Sequence, residues 1–278
     1  MLKSFCKINL SLRVLNKKNN GYHNIQSNSF LINLYDEIKI TQTKKKNDQI
    51  IFRGKFNKFI HKKNTVVDTL QLLRKLKLIN IYKKYKIVIK KNIPVFSGMG
   101  GGTSNAAYII NYFLKGKLKK NFTKKFEKII GSDLKLFEKK QVFQKTLHKI
   151  LEYKKNYKFH FILIYPGIKC STKEIYSKVK KYSNPSKVKY NLIKDKFSFL
   201  ELLSKERNDL QSVAVKKFPI IKKIIDLISE QKGCNFARMT GSGSVCFGVF
   251  NSIKSAKNAL DVIKKKHPKY WCIITKTI

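Results

Sequence analysis

Residues 94–107 read Pro94-Val95-Phe96-Ser97-Gly98-Met99-Gly100-Gly101-Gly102-Thr103-Ser104-Asn105-Ala106-Ala107. Upstream, Tyr85–Ile89 reads as a strand; downstream, Ala106, Ile109, Ile110, Phe113 and Leu114 form one apolar helical face. Glycines between a strand and a helix let the backbone take positive φ and approach a ligand closely. The successive N–H groups that open the helix, together with its dipole, make a site for an anion such as phosphate. Thr103, Ser104 and Asn105 stand where they can cap the helix, and the hydroxyls can also face a phosphate or Mg2+. No Gly-Lys-Ser/Thr ends the segment, so it is not a Walker A loop, and its glycine spacing is not a dinucleotide fingerprint. Read from the glycines alone, a flexible turn with capping residues remains the alternative.

Working outward, residues 4–15, Ser29–Leu34, Asp36–Thr43 and Gln49–Arg53 read as strands, with Asn19-Asn20-Gly21 a turn. Val66, Leu70, Leu73 and Leu76 give Thr65–Leu78 a helical period, with Asn64 as its N-cap. Phe122–Ile130 reads as a further helix stopped by Gly131. Past a polar stretch at 150–157, Lys158–Tyr165 is an apolar strand ended by Pro166-Gly167. Helices are expected at 172–181, 198–204, 208–231 and 255–265, and strands at 236–239, 244–250 and 270–275. That interleaving is an α+β layer. The domains are placed at 1–153 and 154–278.

Sixty-one basic residues against sixteen acidic ones leave a formal charge of +45. Such a charge suggests a nucleic-acid or anionic-membrane binder. The basic residues are nearly all lysine, however, with arginine only at 13, 53, 74, 207 and 238, and they are spread along the chain. Guanine and phosphate forks favour arginine. An AT-rich coding sequence, which raises Lys, Asn, Ile, Phe and Tyr together, accounts for the composition, so no specific nucleic-acid partner is expected. The five cysteines form no CxxC pair and have no zinc-finger spacing. No metal ligands are assigned. MLKSFCKINL is interrupted by Lys3, Lys7 and Asn9 before an apolar signal core can form. No apolar run approaches the about 20 residues that span a bilayer. The expectation is a cytoplasmic protein with no membrane partner, monomeric or homodimeric.

The segment Gly-Met-Gly-Gly-Gly-Thr-Ser-Asn-Ala-Ala resembles the second motif of the GHMP kinases, the galacto-, homoserine, mevalonate and phosphomevalonate kinases. Other segments resemble the family's in the same order: Cys6-Lys7-Ile8-Asn9-Leu10, Asn20-Gly21-Tyr22-His23, Gly131-Ser132-Asp133-Leu134, Tyr165-Pro166-Gly167 with Ser171-Thr172, Asn208-Asp209-Leu210 and Thr240-Gly241-Ser242-Gly243. The Gly-Tyr-His segment combined with the triple glycine is specific within the family. The resemblance implies an α+β, two-domain GHMP kinase fold, its N-terminal domain like ribosomal protein S5 and its C-terminal domain ferredoxin-like. It implies ATP and Mg2+ as cofactors. The implied reaction moves the γ-phosphoryl of ATP to the 2-hydroxyl of a small molecule, 4-diphosphocytidyl-2-C-methyl-D-erythritol. Three departures stand out. Lys135 replaces a family proline and so removes a fixed φ near Asp133, Phe96 and Ser97 replace small residues, and Cys6 replaces an alanine.

The resemblance also assigns roles. Asp133 becomes the base for the substrate hydroxyl and Lys7 the cation that keeps it ionised and stabilises developing charge. Pro94, Gly98, Gly100, Gly101, Gly102, Thr103, Ser104 and Asn105 hold the triphosphate. Asn9, two residues from Lys7 and hence on the same strand face, reaches the reacting hydroxyl. Tyr22 and His23 take the cytidine by stacking and hydrogen bonding, and Thr172 lies on the substrate wall. Gly241, Ser242 and Gly243 make a second glycine turn near the phosphates. Without the resemblance each residue has a plainer reading. Asp133 is a helix cap, Lys7 and Asn9 the wet face of a strand, His23 a turn residue, Tyr176 a packing residue, and residues 241–243 a strand-linking turn. Another GHMP kinase of the mevalonate or homoserine type, and a basic nucleic-acid-binding protein, stay open as alternatives.

Overall fold

The computed structural model describes residues 1–19, 21–116, 118 and 120–278. Asn20 of the expected turn lies outside the described residues. Two compact units share the chain. The first comprises Met1–Cys6, Leu34–Val95 and Gly100–Glu138; the second comprises Lys7–Asn33, Phe96–Met99 and Lys139–Ile278. Two long paired strands, β1 (Leu2–Lys17) and β2 (His23–Thr43), contribute to both. Where two strands were expected between Ser29 and Thr43, β2 is one continuous strand. No glycine or proline interrupts it. Asp36 adds no break because its carboxylate accepts the N–H groups of Asn92 (2.8 Å) and Ile93 (3.0 Å) and pairs with the Lys91 ammonium, both side chains being buried.

In the first unit, β3 (Gln49–Arg53) runs parallel to β4 (Lys84–Lys90), which pairs antiparallel with Glu37–Thr43 of β2. Among the described residues its α-helices are α1 (Thr65–Lys75), α2 (Gly101–Leu114) and α3 (Lys120–Ile130). The expected cap is present: Asn64 accepts the N–H groups of Val66 and Val67. A cap of this kind contributes about 1 kcal/mol. Leu70, Leu73, Ile109, Ile110 and Phe126 cover Ile38, Ile87 and Ile89, so the apolar helical periods and the strand alternation meet in one core.

In the second unit, Ser27–Phe30 of β2 pairs antiparallel with β5 (Gln141–Gln144), which pairs with β6 (Ile150–Glu152). A separate antiparallel sheet has the order β10-β7-β9-β8, with β7 at His160–Tyr165, β8 at Cys234–Met239, β9 at Cys246–Phe250 and β10 at Trp271–Lys276. Its helices are α4 (Thr172–Ser177), α5 (Lys196–Ser204), α6 (Asp209–Lys217), α7 (Ile220–Ser229) and α8 (Ile253–Lys266). The single helix expected over 208–231 is two, broken at Phe218-Pro219. Proline lacks the N–H of a helix interior and restricts the residue before it; Phe218 takes φ −133°. Tyr153, Tyr157, Phe159 and Phe199 gather with Phe30 in a buried aromatic cluster, the Tyr157 and Phe199 rings stacked at 4.2 Å. Each such pair adds about 0.5–1.5 kcal/mol beyond burial. Buried Arg238 donates to the carbonyls of Leu10 and Ser204, both at 2.9 Å, and lies over the Phe236 ring. Burial pushes its guanidinium down to about 10. Among the described residues no helix is long and apolar enough to cross a membrane.

Candidate active site

The glycine segment opens a helix, as its sequence implies, but the helix starts earlier than its hydroxyl residues suggest. α2 begins at Gly101, and the cap is Gly100, left-handed at φ +69°, with no side-chain cap. Thr103, Ser104 and Asn105 therefore lie inside the first turns rather than at the N-cap. The reason is the run of glycines, which lets the chain enter the helix three residues sooner than a cap at Thr103 would. The Ser104 N–H makes the first ladder bond, to the Gly100 carbonyl at 2.8 Å. The N–H groups of Gly101, Gly102 and Thr103 stand ahead of that ladder, in a first turn without acidic residues. The Ser104 hydroxyl is buried and turned to the Phe5 carbonyl (2.6 Å) and Ser4 Oγ (2.7 Å). Asn105 is buried, and its Oδ1 has no hydrogen-bond partner.

The front of the same segment, Phe96–Met99, belongs to the second unit and meets the other glycine turn there. Gly98 has φ +79°, and a Cβ on it would lie 2.0 Å from the Thr240 carbonyl oxygen. Gly241 has φ +53°, and a Cβ on it would lie 2.7 Å from the Gly98 carbonyl oxygen and 3.2 Å from Asn9 Oδ1. No other residue fits either position. Asn208 pins the second turn: its Nδ2 donates to the carbonyls of Met239 (2.7 Å) and Gly241 (2.8 Å), while its Oδ1 accepts the Leu210 N–H and caps α6. Phe96 is half-exposed in the left-handed region at φ +53°, and its carbonyl accepts the Cys170 N–H at 3.3 Å. A non-glycine residue held there stores about 1 kcal/mol or more of strain.

Lys7 and Asn9, expected as the wet face of a strand or as site residues, are both buried on β1. The Lys7 ammonium donates to Asn9 Oδ1. Asn9 Nδ2 donates to Ser27 Oγ (2.6 Å) and Ser29 Oγ (2.9 Å), and its backbone N–H donates to Thr240 Oγ1 (2.9 Å). A buried polar face of this kind requires every group to find a partner. Asp133 lies in a 3-10 turn, Ser132–Glu138, directly after Gly131 at φ +134°. Leu134, Leu136 and Phe137 bury beneath that turn while Asp133 stays partly exposed. The turn forms without the family proline, and Lys135 in its place makes an ion pair with Glu127 at 3.2 Å.

His23 is buried at the start of β2, its ring 5.1 Å from that of Tyr176 and 6.4 Å from that of Tyr182. Burial, reinforced by Lys17, lowers its pKa from the ordinary 6.5. Tyr22 is exposed, and its carbonyl closes a turn with the Lys18 N–H at 2.7 Å. The Thr172 and Ser242 hydroxyls are 2.9 Å apart, which joins the start of α4 to the second glycine turn. Tyr176 packs against the His23 ring as well as on its own helix.

Comparison with known proteins adds the lineage. The family descriptions "GHMP kinases N terminal domain" and "GHMP kinases C terminal" match residues 64–129 and 193–269. A protein of Pelagibacter ubique (strain HTCC1062) named 4-diphosphocytidyl-2-C-methyl-D-erythritol kinase is 41% identical, covering 100% of this chain and 98% of that one. The chain belongs to the 4-diphosphocytidyl-2-C-methyl-D-erythritol kinase family of the GHMP kinases. A family member of the same name from Wolbachia sp. subsp. Drosophila simulans (strain wRi) is 33% identical over the whole of both chains. Among solved structures, a 4-(cytidine 5'-diphospho)-2C-methyl-D-erythritol kinase shares the fold with a TM-score of 0.76 at 19% identity, covering 100% and 99% of the two chains. The mevalonate kinase of Methanococcus jannaschii shares it at 0.67, also at 19% identity, covering 100% and 98%. The two-domain α+β expectation therefore holds.

In this GHMP kinase the sequence pattern left several supporting residues unread. Ser27 and Ser29, two apart on β2, lie in the polar run Gln26-Ser27-Asn28-Ser29, where no alternation marks them. Asp36 and Lys91, a buried pair 55 residues apart, carry no local signal. Among the described residues no group of three or more His, Cys, Asp and Glu side chains could hold a metal ion. A cavity of about 620 Å³ in the second unit is lined by Arg207, Asp209, Gln211, Asp226 and Arg238 among others; none of the residues assigned to the site lines it.

Proposed function

We propose that this chain transfers the γ-phosphoryl of Mg-ATP to the 2-hydroxyl of 4-diphosphocytidyl-2-C-methyl-D-erythritol, a step of non-mevalonate isoprenoid precursor synthesis. The full-length relationship to kinases named for that substrate carries the reading. The proposed division at residues 153 and 154 separates the two matched family segments. The free N–H groups that open α2, with Gly98 and the Pro94 turn ahead of them, suit the triphosphate. Asp133 takes the proton from the hydroxyl, and Lys7 stabilises the charge that develops there. Asn9 meets the same hydroxyl, His23 and Tyr22 receive the cytosine, and Thr172 borders the substrate.

Magnesium fits a site for which the described residues offer no carboxylate cage, because this ion keeps most of its ligands as water and phosphate oxygens. The buried, unpartnered Asn105 Oδ1 is an oxygen of the type it accepts. Bound there, the ion neutralises phosphate charge. The test is ADP release from Mg-ATP by purified protein with and without the diphosphocytidyl substrate. Substrate-dependent release is expected. Release that follows homoserine or mevalonate instead would overturn the substrate, and none with any acceptor would overturn the activity.

A further inference from the structure

The orientation of the Asn9 amide follows from chemistry alone. A backbone carbonyl only accepts, so the Ser27 hydroxyl, 2.7 Å from the Ser11 carbonyl, must give its proton there. Ser27 Oγ is then an acceptor toward every other neighbour, and the Asn9 atom 2.6 Å away must be the donor Nδ2. From the other side the Lys7 ammonium, which has no acceptor, must meet the amide oxygen. Both ends give the same answer. The second Nδ2 proton goes to Ser29 Oγ at 2.9 Å, and Ser29 can give its own proton to Ser27 Oγ at 3.1 Å. Ser27 and Ser29 are buried on one face of β2. One site is left over. Oδ1 has a second lone pair, on an oxygen whose neighbour Gly241 carries no side chain.

We infer that Ser27 and Ser29 are positioning residues that lock Asn9 as an acceptor, so that before transfer the Lys7–Asn9 pair reads the hydroxyl in one sense only: its oxygen to the Lys7 ammonium and its proton to Asn9 Oδ1, until the O–H turns to Asp133, which takes that proton in the transfer step. This rests on the kinase reading proposed above. An amide free to rotate would present Nδ2 to the hydroxyl half the time and set a second donor against Lys7. A methyl ether at the same carbon has no proton to give and is excluded.

The test is a double-mutant cycle. Ser27→Ala/Ser29→Ala in the otherwise native chain should lower kcat about 10- to 100-fold, the size expected of lost positioning, with the KM for ATP changed less than about twofold. In an Asn9→Ala background the same pair of changes should lower kcat no further. Equal losses in both backgrounds would make the serines merely structural and overturn the inference. So would an unchanged kcat in the native background. A readout independent of turnover is hydrogen exchange of the Asn9 side-chain amide, followed by NMR in the unmodified protein and in the double serine variant. Slow exchange that becomes fast in the variant supports the lock, and fast exchange in the unmodified protein overturns it. If no acceptor is phosphorylated, the kinase reading fails while this measurement still decides the lock.

Discussion

At the scale of single residues, Asp133 and His23 carry separable predictions. Asp133→Asn keeps the shape of the 3-10 turn, whose packing rests on Leu134, Leu136 and Phe137, and removes only the proton acceptor. Turnover should fall by about 10²–10⁴-fold, the usual contribution of a general base, while ATP affinity measured by calorimetry stays within a few-fold. Turnover near the native rate would remove Asp133 from the chemistry. His23 is held neutral by burial, its pKa below 6.5. Below that ordinary value the unfolded chain takes up a proton that the folded chain resists, so stability must fall as the pH falls through the window beneath 6.5. His160 has the same sign. His23→Gln should therefore flatten part, not all, of the decline in melting temperature between about pH 7 and 5. An equally steep decline in the variant would place the titration elsewhere.

At the scale of elements, the glycine turns and the Asp36–Lys91 pair bear on the strands and helices that hold the site. Gly98→Ala puts a Cβ 2.0 Å from a carbonyl oxygen at a left-handed position. The left-handed conformation alone costs roughly 1–2 kcal/mol, so with the clash the melting temperature should drop by at least several degrees and turnover should fall with it. An unperturbed melt would mean that the turn from Thr240 to Gly243 yields. Asp36→Ala leaves a buried ammonium and two N–H groups without their partner; removing one side of such a pair costs about 3–5 kcal/mol, readable by urea unfolding. Most elements were legible because their signals are local: the Asn64 cap, the period of Leu70 and Leu73, the apolar run of β7. What escaped was set by distance along the chain. The four residues of β5 are all buried and show no alternation, and the Gln141 side chain is satisfied by the backbone of Tyr157, at 2.7 and 2.8 Å. Of the site, the glycines and Asp133 could be read from resemblance. The serines behind Asn9 could not, because nothing in their neighbours reveals that Lys7 and Asn9 face them.

At the scale of the whole molecule, the charge of +45 acts on encounter rather than on the fold. Two polyanionic substrates approach a strongly positive surface, and salt screens that attraction over about 10 Å at 0.1 M. The value of kcat/KM for the diphosphocytidyl substrate should fall several-fold between about 20 and 200 mM salt, with kcat nearly constant. A flat profile would mean that the lysines do no steering. None of the five cysteines is in a disulfide. Burial raises Cys170, Cys234 and Cys272 to about 11, well away from the reactive thiolate range.

The second unit unites residues 7–33 with everything from 139 onward. The backbone of Leu12 bonds Arg207, the carbonyl of Leu10 receives Arg238, and Asn9 reaches Thr240. During translation, then, the stretch that bears Lys7 leaves the ribosome long before its partners are made. At about 5–20 residues per second that wait is on the order of 10–50 s. For that interval Ile8–Val14 can pair with β2, made soon after it, but not with Arg207, Arg238 or Thr240. The strand that carries Lys7 and Asn9 therefore gains its last contacts only when the final third of the message has been read.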